Sequence, residues 1–152
     1  MRIFSSARIA VIDADPDHRA ALCSAMAEFG MLQILSAASF EEARQRAGEA
    51  PIDLCVVNAP SFQRGGQNGG TPFPLYPFDP AETPAILIAA HPTRETVRVA
   101  AAHGYRFVMP APAVPRLVYR RIGSILQKVR RAARVKPPEL APLAPARELT
   151  QG

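Results

Sequence analysis

Three polar side chains that directly follow apolar segments are the residues best placed to do chemistry. Asp13 and Asp15 come after the apolar segment 8–12, and Asn58 comes after the apolar segment 52–57. An ionised carboxylate can act as a nucleophile, whereas the amide of Asn58 carries no comparable negative charge. Mg²⁺ prefers hard anionic oxygens in near-octahedral geometry, and one carboxylate beside a neutral amide is a poor site for it. Asn58 is therefore expected to act neither as a nucleophile nor as an anionic metal ligand.

The histidines and cysteines offer no second reactive site. His18, His91 and His103 are scattered without the spacing of metal ligands, so we expect them on the solvated surface. Cys23 and Cys55 lie inside apolar periodic segments, where a cysteine is typically a buried small hydrophobe. The residues after the first apolar segment, ADPDH, lack the Ser, Thr and Gly of a loop that binds a cofactor phosphate. We expect no metal, no cofactor and no enzymatic activity.

Length and composition indicate one globular domain that must position these residues. The chain has 152 residues, of which 48% are hydrophobic and 20% are charged, a balance that suits one hydrophobic core. Apolar runs predict five strands, at 8–12, 33–37, 52–57, 84–90 and 106–109. Helical spacing and capping residues predict four helices, at about 15–30, 39–48, 93–104 and 115–134.

The alternation of strands and helices predicts an α/β fold. Strands that are apolar on both faces, between amphipathic helices, indicate a parallel sheet covered on two sides. Right-handed crossovers and the commonest strand order, 2-1-3-4-5, then give a flavodoxin-like fold. Ligand chemistry in this architecture collects at the carboxyl ends of the strands. In this chain those ends are 13–15, Asn58, 89–91 and 109–112.

The segment between the third and fourth strands, residues 59–83, departs from this alternation. It holds five prolines and four glycines, so the third helix of such a fold is replaced or shortened. Four of the ten aromatic residues lie in it: Phe62, Phe73, Tyr76 and Phe78. They dock a partner, or they fold back over the groove that the missing helix leaves, and the two roles are compatible. Residues 135–152, rich in Pro and Ala, are expected to form a disordered tail.

Three segments resemble, in their order and spacing, parts of the receiver domain of two-component response regulators, the CheY-like family. RIAVIDADPDHRAAL is similar to the family's first strand and helix, and PIDLCVVN is similar to its third strand. PAILIAAHPTRETVRVAAAHG is similar to its fourth strand and helix. The resemblance covers residues 6–134 and implies a bacterial signalling domain.

The resemblance also implies where a phosphorylation site would lie. In the family two acids after the first strand hold Mg²⁺, an Asp ending the third strand accepts the phosphoryl group, and a Thr or Ser and a Lys end the fourth and fifth strands. The matching residues are Asp13 and Ala14 for the acids, Asn58 for the acceptor, Ala89 for the hydroxyl and Met109 or Pro110 for the lysine, with Asp15 adjacent as the expected helix cap. Four of these five positions depart from the pattern, which implies a degenerate receiver domain, or pseudo-receiver.

Two further residues match positions of interest in the family. Asp53 lies within the third strand, where the family often carries an Asp of structural character, so we do not expect it to accept a phosphoryl group. Phe107 falls near the family's aromatic switch position. Because Ala89 has no hydroxyl for that switch to follow, we expect Phe107 to be a core residue.

Basic residues are concentrated in the last helix. Residues 1–115 carry 9 Lys/Arg and 11 Asp/Glu, whereas residues 116–136 carry 8 Lys/Arg and no acid. The pattern fits a solvated basic face, or a surface for an acidic protein, a nucleic acid or an anionic membrane. No aromatic interleaving or recognition helix accompanies the charge, which disfavours nucleic acid. The candidate partner-binding arginines are Arg120, Arg121, Arg130 and Arg131.

These features predict a phosphorylation-independent signalling adaptor or scaffold that acts through protein–protein interaction. Members of the family often pair through their fourth helix, fifth strand and fifth helix, so a homodimer through those elements is one expectation. The alternative is a sensor of a small ligand or nucleotide that binds at the strand ends, where loss of charge leaves a more apolar cleft. No run of about 18 apolar residues is present, so we expect no membrane span and a cytoplasmic location.

Overall fold

The computed structural model describes residues 6–59 and 77–135, and its elements follow the expected order. The elements are β1 (Arg8–Ile12), α1 (Pro16–Glu28), β2 (Gln33–Ala37), α2 (Phe40–Ala47), β3 (Leu54–Ala59), β4 (Ala85–Ala89), α3 (Arg94–Ala102), β5 (Phe107–Pro110) and α4 (Pro115–Val135). β3 ends at Ala59 and not at Val57, so Asn58 lies within the strand. Phe62, Phe73, Tyr76 and the tail beyond residue 135 lie outside the described residues.

The strands form one parallel sheet in the order β2-β1-β3-β4-β5, which confirms the predicted flavodoxin-like fold. β4 is buried along its whole length, because it has a strand on either side and helices over both faces. β2 and β5 are the two edges of the sheet and are only partly buried. The unbroken apolar run of β4 is the sequence pattern that such a position requires.

Alternate strand residues build two hydrophobic cores, one on each face of the sheet. Ile9 and Val11 of β1 belong to the core that α1 and α4 cover. Ala10 and Ile12 belong to the core that α2 and α3 cover. Side chains alternate along a strand, so a polar residue one position past β1 continues the first of these sets. This places Asp13 on the α1 side of the sheet.

Side-chain caps start the helices at the expected residues. Asp15 accepts two backbone N–H bonds from the first turn of α1, and Ser39 Oγ accepts the Glu42 N–H at 3.1 Å. The Glu42 carboxylate binds the Ala38 N–H at 2.6 Å, one residue before the position that a capping box uses. The Ala38 N–H, together with the neighbouring Arg46, holds the pKa of the Glu42 carboxyl below its usual value.

Phe78 is the one aromatic residue of the 59–83 segment that the structure describes, and it packs against the domain. Its ring meets Phe40 edge to face with centroids 6.2 Å apart, and the Arg44 guanidinium lies 5.4 Å from its centroid. Residues 77–84 form turns and bends and no helix. This end of the segment therefore folds back over the core, as one of the two predicted roles requires.

The longest helix, α4, is amphipathic. Val118, Ile122 and Ile125 are buried against the sheet, whereas Arg116 and Arg120 are exposed. Within residues 6–59 and 77–135, no helix combines the length and the apolar character needed for a transmembrane span.

The two cysteines give a chemical test of this packing. Cys55 is fully buried in β3, and burial raises the pKa of the half-buried Cys23 thiol. Because the thiolate is the reactive form, we expect a thiol reagent to modify Cys23 slowly at neutral pH and faster as the pH rises. Cys55 should react only after unfolding. Peptide mass spectrometry of native and denatured protein measures both rates, and rapid modification of Cys55 in the native protein would contradict its burial.

Candidate functional site

Asp13 is the centre of a polar cluster at the carboxyl end of β1. Its side chain is 3% exposed, and its Oδ1 accepts the Asp15 N–H at 3.0 Å. Its Oδ2 accepts Nδ2 of Asn58 at 3.0 Å and also contacts Nδ1 of His18. An unpaired charge in such a place is costly, because burial removes it from water. Three protein donors therefore satisfy this buried carboxylate.

His18 enters the cluster from the first turn of α1. Asp15 caps the helix and accepts the His18 backbone N–H at 3.3 Å, which fixes the turn that carries the imidazole. The His18 side chain is 31% exposed and pairs with Asp13. The expectation that His18 is a solvated surface residue is therefore wrong. The sequence signal for this pair is its spacing: His18 follows Asp13 by five residues, and the end of β1 and the capped start of α1 lie between them.

Asn58 joins the cluster from β3, with its amide nitrogen turned toward Asp13. Its Nδ2 also lies 3.3 Å from Nδ1 of His18. Rotating the amide would put Oδ1 against the Asp13 carboxylate, so electrostatic repulsion fixes the orientation. As a result, Oδ1 of Asn58 is buried without a hydrogen-bond partner among the described residues. A buried acceptor that stays unpaired lowers the stability of the fold by about 1–3 kcal/mol.

The residues at this site do not fit the Mg²⁺ that the family resemblance implies. The position of the second acid holds the exposed Ala14, and the Asp15 side chain is engaged in capping α1. The Asp13 carboxylate already binds three protein donors, and Asn58 turns a donor toward it and not an oxygen ligand. In the described part of the chain, no three His, Cys, Asp or Glu side chains are grouped to hold a metal ion.

The other residues expected at this pocket lie in the cores or at the surface. Ala89 is buried under α2 and α3, whereas Met109 is buried in the core that α1 and α4 cover. Met109, expected as a pocket residue, is thus a core residue. Pro110 is exposed and pairs with Ala89 in the strand register, so it is the residue level with the end of β4. Neither alternative supplies a cation.

Asp53 and the two remaining histidines lie apart from the cluster. Asp53 precedes β3 and does not lie within it as expected, and its Oδ2 accepts the Arg8 N–H at 2.7 Å, at the amino ends of the strands and away from the cluster. His91 is exposed just after β4, with φ of 45°. Nδ1 of His103 lies 2.9 Å from the Val99 carbonyl oxygen at the end of α3.

A second candidate surface is the groove between β5 and α4, here called the β5–α4 groove. Its volume is about 510 Å³, and its lining residues are Phe107, Val108, Met109, Pro110, Leu117, Arg120, Arg121 and Ser124. The Arg121 guanidinium lies 3.9 Å from the Phe107 ring centroid. Phe107 is therefore half-buried at the edge of the core and not enclosed by it. Arg120, Arg130 and Arg131 are exposed, whereas Arg121 is half-buried.

Solved structures share this architecture. No protein-family model matches the chain, and no curated protein sequence matches it either. A CheY-like response regulator receiver domain protein from Methanospirillum hungatei is 15% identical with a TM-score of 0.60, over 82% of this chain and 97% of that one. A response regulator from Thermotoga maritima is 15% identical with a TM-score of 0.58, over 80% and 98%. A response regulator receiver protein from Burkholderia phymatum is 19% identical with a TM-score of 0.54, over 80% and 96%. At such identities the likeness shows the receiver fold.

Proposed function

We propose that this chain is a phosphorylation-independent signalling adaptor or scaffold, cytoplasmic and acting through protein–protein interaction. One observation carries the proposal: the Asp13 carboxylate is bound by three protein donors, and an amide stands at the phosphoacceptor position, Asn58. Such a site offers neither a nucleophile for phosphorus nor a metal ligand open to a cation. The receiver fold supports the signalling part of the proposal, since the structures that share it include response regulators.

The partner surface that we propose is the β5–α4 groove with the basic face of α4 beside it. No acid lies between residues 116 and 136, and Arg120 and Arg131 are exposed there. An acidic protein surface complements this charge. Leu117 is 44% exposed at the groove and gives apolar area to bury. A homodimer through the same elements would bring two basic α4 helices together, which charge repulsion disfavours.

A partner identified by crosslinking in cells, and then purified, tests this proposal. We expect its affinity for the chain to be the same with and without an acyl phosphate and Mg²⁺. The variant Arg120→Glu/Arg131→Glu should bind at least about tenfold more weakly, because both charges then repel an acidic partner. Arg94→Glu, at an exposed position on α3, is the matched control. Affinity that changes with the phosphoryl donor, or equal losses in the variant and the control, would contradict the proposal.

A ligand sensor is the second candidate, and one atom favours it. Oδ1 of Asn58 is buried and lacks a hydrogen-bond partner among the described residues. A small molecule with an N–H or O–H donor would satisfy this oxygen. A nucleotide or metabolite that raises the melting temperature of the wild type, but not that of Asn58→Leu, would move the assignment from adaptor to sensor.

A further inference from the structure

Three of the roughly four acceptor positions of the Asp13 carboxylate are filled from inside the protein. Oδ1 accepts the Asp15 N–H, and Oδ2 is shared by Asn58 Nδ2 and His18 Nδ1. With 3% exposure, this side chain meets almost no water. The three donors therefore hold both positions at Oδ2 and one at Oδ1, which are positions from which a metal ion would approach.

His18 is the donor among these three that can bring a positive charge. Asp15 and Asn58 contribute neutral N–H groups, whereas Nδ1–H of His18 donates both from the imidazolium and from the neutral ring protonated at that nitrogen. The adjacent Arg19 adds a fixed charge, because its Nη1 binds the Asp13 carbonyl oxygen at 2.6 Å. Its Nε binds Ser36 Oγ at 2.8 Å, which keeps the guanidinium in place. A cation approaching Asp13 meets the Arg19 charge and must displace His18.

We propose that the His18 imidazole takes the place of a bound cation in this pocket and closes Asp13 to Mg²⁺ and similar ions. His18 acts as a positioning residue that holds Oδ2 of Asp13 beside Asn58. The inference deepens the proposed function and rests on it in treating Asn58 as the acceptor position. It implies that restoring a carboxylate at residue 58 does not restore metal binding while His18 is present.

Mn²⁺ is the probe, because it favours the same oxygen ligands as Mg²⁺ and its free ion is measured by electron paramagnetic resonance. We expect no binding by the wild type or by Asn58→Asp, since His18 still pairs with Asp13 in both. His18→Ala leaves a single carboxylate and should bind weakly at most. His18→Ala/Asn58→Asp exposes two carboxylates, and its affinity should exceed that of Asn58→Asp by at least roughly tenfold.

The matched control removes a different histidine. His91 is exposed and has φ of 45°, a conformation that asparagine tolerates, so His91→Asn preserves the backbone there. We expect His91→Asn/Asn58→Asp to gain no affinity for Mn²⁺. Binding by the wild type, or equal affinities of Asn58→Asp and His18→Ala/Asn58→Asp, would overturn the inference.

Melting temperature gives a second measurement, because an ion that binds the folded state raises it. Mg²⁺ should stabilise His18→Ala/Asn58→Asp and leave the wild type unchanged. If the alanine variants do not fold, His18→Phe keeps the ring volume without the donor and replaces His18→Ala. Failure of both to fold, with or without Mg²⁺, would show that His18 supports the fold and not the site, which also overturns the inference.

Metal binding and phosphorylation are scored separately, so the two proposals can fail independently. A wild-type protein that binds Mn²⁺ but accepts no phosphoryl group contradicts the role of His18 and the closed carboxylate, and leaves phosphorylation independence standing on the amide of Asn58. A wild-type protein that binds no Mn²⁺ yet accepts a phosphoryl group supports the role of His18 and contradicts the proposed function.

Discussion

The Asn58→Asp variant is expected to remain unphosphorylated in the presence of a small acyl phosphate and Mg²⁺, as is the wild-type protein. At residue 58 the wild type has no nucleophile, because the Asn58 amide does not attack phosphorus. The variant gains a carboxylate there, but Ala14 supplies no metal ligand, Ala89 supplies no hydroxyl and Pro110 supplies no cation for the phosphoryl oxygens. Losing one electrostatic group of this kind typically slows a reaction by about 10²- to 10³-fold. Intact-protein mass spectrometry in acid measures the product.

A phosphorylation-competent receiver domain is the positive control for this experiment. Asn58→Leu is the matched negative control, because it reports any modification of other residues by the donor. A rapid mass increase that acid preserves and hydroxylamine removes, in the wild type or in Asn58→Asp, would show that the site has kept more of its chemistry than its residues indicate. Labelling should increase when Ala14→Asp, Ala89→Thr, Pro110→Lys and His18→Ala are added to Asn58→Asp.

Truncation of Phe78 is expected to destabilise the domain by about 2 kcal/mol, roughly half the cost of deleting a fully buried Phe. Phe78→Ala removes the edge-to-face contact with Phe40 and the cation–π contact with Arg44. Urea unfolding followed by circular dichroism measures the change. Leu32→Ala is the control, because Leu32 is 75% exposed and its truncation should change stability by no more than about 0.5 kcal/mol. Equal effects of the two substitutions would contradict the packing of Phe78.

Serine substitutions at Phe73 and Tyr76 separate the two roles predicted for the 59–83 segment. If these residues dock a partner, stability should change by no more than about 0.5 kcal/mol while partner binding falls. If they are instead buried against the core, each substitution should cost about 3 kcal/mol. Unchanged stability with unchanged binding would leave the β5–α4 groove as the interface.

The strands and helix starts were predictable because their signals are local. The apolar run of β4 reflects burial on both faces, and Asp15 and Ser39 cap the helices that follow them. The exact end of β3 was not predictable, since Asn58 and Ala59 are held in the strand by pairing with Ile88 and Ala89. The partners lie about thirty residues away in the chain, so the residues that follow the apolar run carry no local signal for how far the strand continues.

The polar cluster was predictable only in part. The topology brings the carboxyl ends of β1 and β3 together, so Asp13 and Asn58 were expected to lie close to each other at that end of the sheet. The participation of His18 depends on the cap that orients α1 and on an amide 40 residues away in the chain. Likewise, the direction in which Met109 points follows from the register of β5 and not from its neighbours in sequence.

The contact between Asn58 and Asp13 also restricts the order in which substitutions can accumulate in a lineage. Nδ2 of Asn58 lies 3.0 Å from Oδ2 of Asp13, so a first change to Asp would bring two negative oxygens together in a buried place. A first change of His18 would instead remove a hydrogen-bond partner from the buried Asp13 carboxylate. Each of these two single changes is therefore opposed, and a second carboxylate is accommodated here only when β3 and α1 change together.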